Sequence, residues 1–169
     1  MKNIILCGFM GCGKTTLAKR LSQKLNMELI DTDEEIIKAE GKPLSEIFAQ
    51  NGEDYFRNLE TELIKKLSTE KGRVISLGGG LAANKNNHPY LKAAGTVVLL
   101  DCGIETTLKR ISGDKTRPLT AGGKQDIINR YNARKPIYES VADIVVNSSK
   151  SKGKTLSETL EKLGKKSSS

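Results

Sequence analysis

The chain has 169 residues, 37% of them hydrophobic and 28% charged, with no tryptophan. That is enough for one domain with a buried core, and too little aromatic surface for the stacking platforms that single-stranded nucleic acid requires. The net charge of +8 does not argue for nucleic acid either: from Lys150 onward six lysines and two glutamates carry half of it, leaving a modest excess over the rest.

Cys7, Cys12 and Cys102 form no C-x-x-C pair and have no histidine cluster beside them, so reduced thiols and a cytoplasmic setting are expected. No apolar run approaches the ~20 residues of a membrane helix, and the N-terminus does not read as a signal peptide. Neither a membrane nor a nucleic acid is expected as partner.

In chain order, short apolar runs alternate with helical patterns, which predicts an α/β fold with a parallel sheet and helices on both faces. Asn3–Cys7 is the first strand, followed by a glycine-rich turn and a helix with Leu17, Ala18, Leu21 and Leu25 on one side. Glu28–Asp31 and Arg73–Leu77 are the second and third strands. Thr96–Leu100 is apolar without alternation, as a strand buried on both faces should be. Asp143–Val146 is the fifth.

Between the second and third strands, residues 32–70 form a mostly helical insertion longer than a crossover needs, expected to bind the acceptor. Thr32 and Glu35 have capping-box spacing, Pro43 suits a first helical turn, and Phe56, Leu59, Leu63 and Leu67 outline the core stripe of a longer helix. Residues 113–124 are glycine-rich and polar, the composition of a loop that is functional or disordered, and a lid is expected there. Ser148–Lys154 is read as a linker before a short last helix capped by Thr155 and Glu158, and residues 165–169 as a frayed, flexible tail.

The strongest motif is Gly8-Phe9-Met10-Gly11-Cys12-Gly13-Lys14-Thr15, a G-x-x-x-x-G-K-[ST] loop between a predicted strand and a predicted helix. Its backbone amides would converge on phosphate oxygens at a helix N-terminus. Lys14 would reach the β- and γ-phosphates and the Thr15 hydroxyl would ligate Mg²⁺. Such a loop licenses nucleotide binding and leaves the acceptor open.

Asp31 and Asp33 stand where the second strand gives way to a helix, the edge at which ligands collect in such sheets. Asp31 could hold a magnesium-bound water, and Asp33 could orient an acceptor hydroxyl and take its proton. An acidic residue in a first helical turn is also favourable for dipole reasons alone. Arg57 and Glu60 share a helix face, which suits either an arginine oriented toward a carboxylate or a plain surface ion pair. Gly78-Gly79-Gly80 follows the third strand, as a ligand-approach site or a flexible turn. Arg117 lies in the glycine-flanked loop, and Arg134 follows in Arg134-Lys135-Pro136-Ile137-Tyr138. An arginine on a mobile loop can close over a transferring phosphoryl group. Arg110 could pack against a base.

Together, the phosphate loop, Asp31-Thr32-Asp33, Phe56-Arg57-x-x-Glu60, Gly78-Gly79-Gly80, Arg117-Pro118-Leu119 and Arg134-x-Pro136-x-Tyr138 resemble the shikimate kinase family, within the P-loop nucleoside-monophosphate-kinase-like fold. The resemblance runs to about Val146. It implies a three-layer, doubly wound five-stranded parallel sheet in the order 2-3-1-4-5. It also implies transfer of the γ-phosphoryl of MgATP to the 3-hydroxyl of shikimate, in aromatic amino-acid biosynthesis, by a monomer. By the same resemblance Gly11, Cys12, Gly13, Lys14, Thr15, Thr16, Arg110 and Arg117 would hold the nucleotide. Lys14, Asp33 and Arg117 would be catalytic. Asp33, Arg57, Gly78, Gly79, Gly80 and Arg134 would bind shikimate, and Thr15 and, through water, Asp31 would hold the metal. Cys12 and Thr120 depart from the family's usual small residue and second leucine. The alternatives are a related metabolite kinase, such as one acting on gluconate, and a basic P-loop protein that binds nucleic acid or regulates.

Overall fold

The computed structural model describes residues 1–113 and 122–169. Its five strands, β1 (Asn3–Cys7), β2 (Glu28–Asp31), β3 (Arg73–Ser76), β4 (Gly95–Asp101) and β5 (Ile144–Asn147), form one sheet in the order β2-β3-β1-β4-β5. All four ladders are parallel, with Ile5 opposite both Ile75 and Val97. The expected order is therefore found. Its cause is visible in β1 and β4, whose residues have no polar face to turn to solvent and so take the centre.

Alternation along β1 divides the core. Ile5 and Cys7 face one layer with Ile75, Val97 and Leu99, against α4 (Glu53–Leu67), α5 (His88–Ala94), α6 (Gly103–Gly113) and α7 (Gly123–Val141). Ile4 and Leu6 face the other with Val74, Val98 and Leu100, against α1 (Lys14–Leu25) and α8 (Lys152–Ser167). Leu21 of α1 is fully buried there, worth about 2 kcal/mol in transfer terms. A third small cluster, Ile36, Ile47 and Phe56, binds α2 (Thr32–Glu40), α3 (Leu44–Asn51) and α4 into one helical insertion beside the sheet.

Several local expectations are corrected. Asp31, not Thr32, caps α2: its extended backbone lets the carboxylate accept from the Glu34 amide at 3.1 Å. Thr32 is already helical, and its hydroxyl accepts from Gly78 N at 2.9 Å, tying the end of β2 to the end of β3. Ser151 likewise caps α8 in place of Thr155, whose hydroxyl donates to the Ser151 carbonyl. α8 has 16 residues and is not short, because Leu156, Leu160 and Leu163 give it a stripe against the α1 layer. It runs to Ser167, into the first of the residues read as a frayed tail, where Lys166 pairs with Asp143 at 2.9 Å and Lys165 with Glu161 at 2.7 Å. The buried stripe of α4 is also rotated: Phe56, Glu60, Ile64 and Leu67 are inside, while Leu59 and Leu63 are half-buried against the insertion.

Candidate active site

The phosphate loop leaves the buried end of β1 and closes on α1. Gly13 caps that helix with φ +94°, a conformation an L side chain resists, and among the described residues no side chain caps the helix or places an acid in its first turn. The first amides of α1 are thus presented to a ligand, where the helix dipole favours anions. Lys14 folds back over the loop: its ammonium donates to the carbonyls of Gly8 and, at 3.3 Å, Phe9, and lies 3.8 Å from Cys12 Sγ. A cavity of about 380 Å³ opens beside it, lined by the loop from Gly11 to Thr16 and, across from it, by Arg110, Ser148 and Lys150. Arg110 donates to the Gly11 carbonyl at 3.1 Å and to the Ser148 carbonyl at 2.8 Å. It therefore straps the phosphate loop to the segment joining β5 and α8 as well as lining the cavity.

The second half of the site lies where β2 and β3 end, and it is organised by the three glycines. A Cβ placed on Gly78 would fall on the Asp33 carboxylate, 3.0 Å from its Cγ. One on Gly79 would lie 3.5 Å from a terminal nitrogen of Arg134, and one on Gly80 only 2.6 Å from Cζ of Arg57. Each glycine thus faces one of the side chains read from the sequence as an acceptor ligand, and Asp33, Arg57 and Arg134 converge on a single turn.

Arg57 donates to Glu60 at 2.6 Å and to Glu53 at 3.3 Å. Glu60 is 1% exposed, so the pair is no surface ion pair. The second oxygen of Glu60 is buried without a partner among the described residues. Burial, opposed by Arg57, pushes the Glu60 carboxyl up to about 7. Burial, and then the nearby Asp31 carboxylate, also raise Asp33 above the usual range, with Lys14 and Arg57 pulling the other way. Arg57 itself is raised because its bonds to Glu60 and Glu53 outweigh desolvation, the largest single influence.

Neither the burial of Glu60 nor the support under Arg134 was legible in the sequence. The Tyr138 hydroxyl donates to the Gly79 carbonyl at 2.6 Å, and the Tyr131 hydroxyl to Asp101 at 2.8 Å. Only the three- and four-residue spacing of Tyr131, Arg134 and Tyr138 hinted at a common face. Arg117 and the central part of the expected lid lie outside the described residues. Among the described residues no three acidic, histidine or cysteine side chains gather as a metal cluster. Thr15 is exposed and lines the cavity, whereas Asp31 does not line it and its carboxylate caps α2; a single hydroxyl at the loop suits Mg²⁺ completed by phosphate and water.

A phosphate-binding loop at the centre of this sheet, opposite a carboxylate and two arginines at neighbouring strand ends, defines a P-loop kinase fold. The family model described as shikimate kinase matches residues 10–164. A shikimate kinase of Sulfurihydrogenibium sp. is 43% identical, the match covering 96% of each chain. The crystal structure of shikimate kinase from Aquifex aeolicus superposes with a TM-score of 0.88 at 40% identity over 98% of both chains. That of shikimate kinase from Acinetobacter baumannii in complex with shikimate does so with 0.86 at 33% identity, over 96% of this chain and 92% of that one. The chain belongs to the shikimate kinase family.

Proposed function

We propose that this protein transfers the γ-phosphoryl group of ATP to the 3-hydroxyl of shikimate, giving ADP and shikimate 3-phosphate. The observation that carries the reading is the glycine turn. Gly78 and Gly80 leave room for Asp33 and Arg57, and Arg134 lies against Gly79, so a compact acceptor meets one carboxylate and two guanidinium groups beside the phosphate loop.

The triphosphate takes the amides of residues 11–16, and Lys14 exchanges the Gly8 and Phe9 carbonyls for phosphate oxygens. Thr15 and, through water, Asp31 would hold Mg²⁺, which would supply charge neutralisation on those oxygens. Arg57 and Arg134 clamp the shikimate carboxylate, a planar partner that suits their forked donors. The Gly78–Gly80 turn and Asp33 take ring hydroxyls, and Asp33 accepts the proton of the attacking one. Arg117 would bind the phosphates and Arg110 would lie beside adenine. Transfer is then in-line, with positioning and electrostatics doing most of the catalysis. We further propose a cytoplasmic monomer with small-molecule ligands. No helix of the described residues is long and apolar enough to cross a membrane.

Coupled ADP release with MgATP tests the reading, comparing shikimate, gluconate and no acceptor. Turnover that depends on shikimate is the expected result. Equal rates without acceptor, or preference for gluconate, would overturn it.

A further inference from the structure

The glycine turn is held from behind. After Gly80 the chain runs through Leu81 and Ala82, both buried, and one turn of 3₁₀ helix (Lys85–Asn87) into α5. Asn87 directly precedes α5, a place where an asparagine side chain commonly caps the helix. Here it makes no capping bond. The side chain is fully buried and turns inward, where its Nδ2 donates to the Leu81 carbonyl at 2.9 Å. A carbonyl can only accept, so the amide has to present its nitrogen to Leu81 and its oxygen to the other neighbour. That neighbour is Thr61 of α4, whose hydroxyl lies 2.7 Å from Asn87 Oδ1 and must be the donor. His88 adds a parallel bond, with Nε2 2.8 Å from the Ala82 carbonyl.

Thr61 stands one turn beyond Arg57, and its hydroxyl is also 3.1 Å from the Arg57 carbonyl. A bonded path therefore runs from the backbone of Arg57 through Thr61 and Asn87 to the backbone of Leu81, next to Gly80. Its two ends are the elements whose spacing the carboxylate clamp needs, because the Arg57 guanidinium fills the space of the missing Gly80 side chain. Glu53 and Glu60 hold the Arg57 side chain, but both lie on α4 themselves, so neither sets the distance from that helix to the turn. Apolar packing is non-directional, whereas a buried amide with both ends bonded specifies one arrangement.

We infer that Asn87 and Thr61 are positioning residues for the acceptor-carboxylate site: their hydrogen-bonded bridge sets the distance between α4 and the glycine turn, and with it the place of the Arg57 guanidinium. The inference rests on the reading of Arg57 as a carboxylate ligand. Neither residue lines the cavity beside the phosphate loop, so nucleotide binding should not sense the bridge. A carboxylate contact shared by ground and transition states shows in KM and not in kcat.

Coupled ADP release by the full chain reads kcat and both KM values. Thr61→Val removes the hydroxyl at nearly constant shape, and Thr61→Ser keeps it. In Thr61→Val the shikimate KM should rise about fivefold, the equivalent of about 1 kcal/mol, with kcat and the ATP KM within about twofold of wild type. Thr61→Ser should stay within about twofold throughout. In an Arg57→Ala background no guanidinium is left to place, so adding Thr61→Val should raise the shikimate KM by less than about twofold. Loss of folded protein alone would lower the apparent kcat and leave both KM values unmoved. That result, equal rises for shikimate and ATP, an equal rise in Thr61→Ser, or a rise that persists undiminished beside Arg57→Ala each overturns the inference. Should Thr61→Val not fold, Thr61→Ala removes the same hydroxyl with less bulk, and the same selective rise is expected. No wild-type turnover with shikimate, or an unmoved shikimate KM in Arg57→Ala, removes the reading on which the inference rests. A raised shikimate KM in Arg57→Ala with an unmoved one in Thr61→Val removes the inference alone.

Discussion

Gly80→Ala tests the packing of the acceptor site with a single methyl group. Gly80 does not have the positive φ that would strain an alanine, so backbone strain does not enter. The added Cβ would overlap a terminal nitrogen of Arg57 and lie 2.6 Å from Cζ. The guanidinium, the far end of a flexible side chain, must swing away, so the chain folds but the carboxylate clamp loses one arm. A charge-assisted hydrogen bond is worth about 1.5–3 kcal/mol, which predicts a shikimate KM raised about 10- to 100-fold, with the KM for ATP little changed. Gly79→Ala is the control. Its Cβ would sit at an ordinary 3.5 Å from Arg134, so the shikimate KM should move by no more than about threefold.

The same displacement has a second signature. Glu60 loses the partner at 2.6 Å that favours its ionised form, so its folded-state proton is held to still higher pH. Because the folded pKa lies above the ordinary 4.5, the folded state binds the extra proton, and stability falls as pH rises through that window. In Gly80→Ala the fall continues further above pH 7 than in wild type. The loss of thermal stability relative to wild type should therefore be larger at pH 8.5 than at pH 6. Coupled kinetics and melting curves read both effects. An unchanged shikimate KM, or equal rises for shikimate and ATP, would refute the placement of Arg57 against Gly80.

Two further outcomes follow from the carboxylates. Asp33→Asn should lower kcat about 10²- to 10⁴-fold if Asp33 takes the acceptor proton, and the acid limb of the wild-type kcat/KM profile should lie above the ordinary 3.8 of an aspartate, since burial raises this group. Retained kcat would dismiss the role. Glu60→Gln should flatten the decline in stability between about pH 4.5 and 7, which a carboxyl held up to about 7 makes worth up to about 3 kcal/mol. Chemical denaturation at several pH values measures it, and an equally steep decline in the variant would assign the titration to another group.

The strands were legible because the sequence signal for each is local. β1 and β4 contain the apolar runs Ile4–Cys7 and Val97–Leu100, and only a place in the middle of a parallel sheet buries both faces of such a run. Helix faces were less legible. In α4 the stripe through Leu59 and Leu63 reads as core, yet the helix lies between the sheet and the insertion and is apolar on two sides. Which side holds Glu60 depends on α2 and α3, not on α4 alone. The polar start of α8 conceals a helix held by Leu156, Leu160 and Leu163, whose partners lie far away in sequence.

The two halves of the site divide in the same way. The phosphate loop is contiguous, so its glycines, lysine and threonine carry their geometry within eight residues. The acceptor half is assembled from residue 33 after β2, residue 57 in the insertion, residues 78–80 after β3 and residue 134 on α7. No spacing relates them. What betrays the assembly is an absence: three consecutive positions without a side chain, the outer two where a carboxylate and a guanidinium need the space. The sequence shows those vacancies, but the structure is needed to pair each with its occupant. The pairing has a consequence for substitution. Enlarging Gly78 or Gly80 displaces Asp33 or Arg57 as surely as mutating those residues, whereas Gly79 has slack, so tolerance at the three glycines should be unequal.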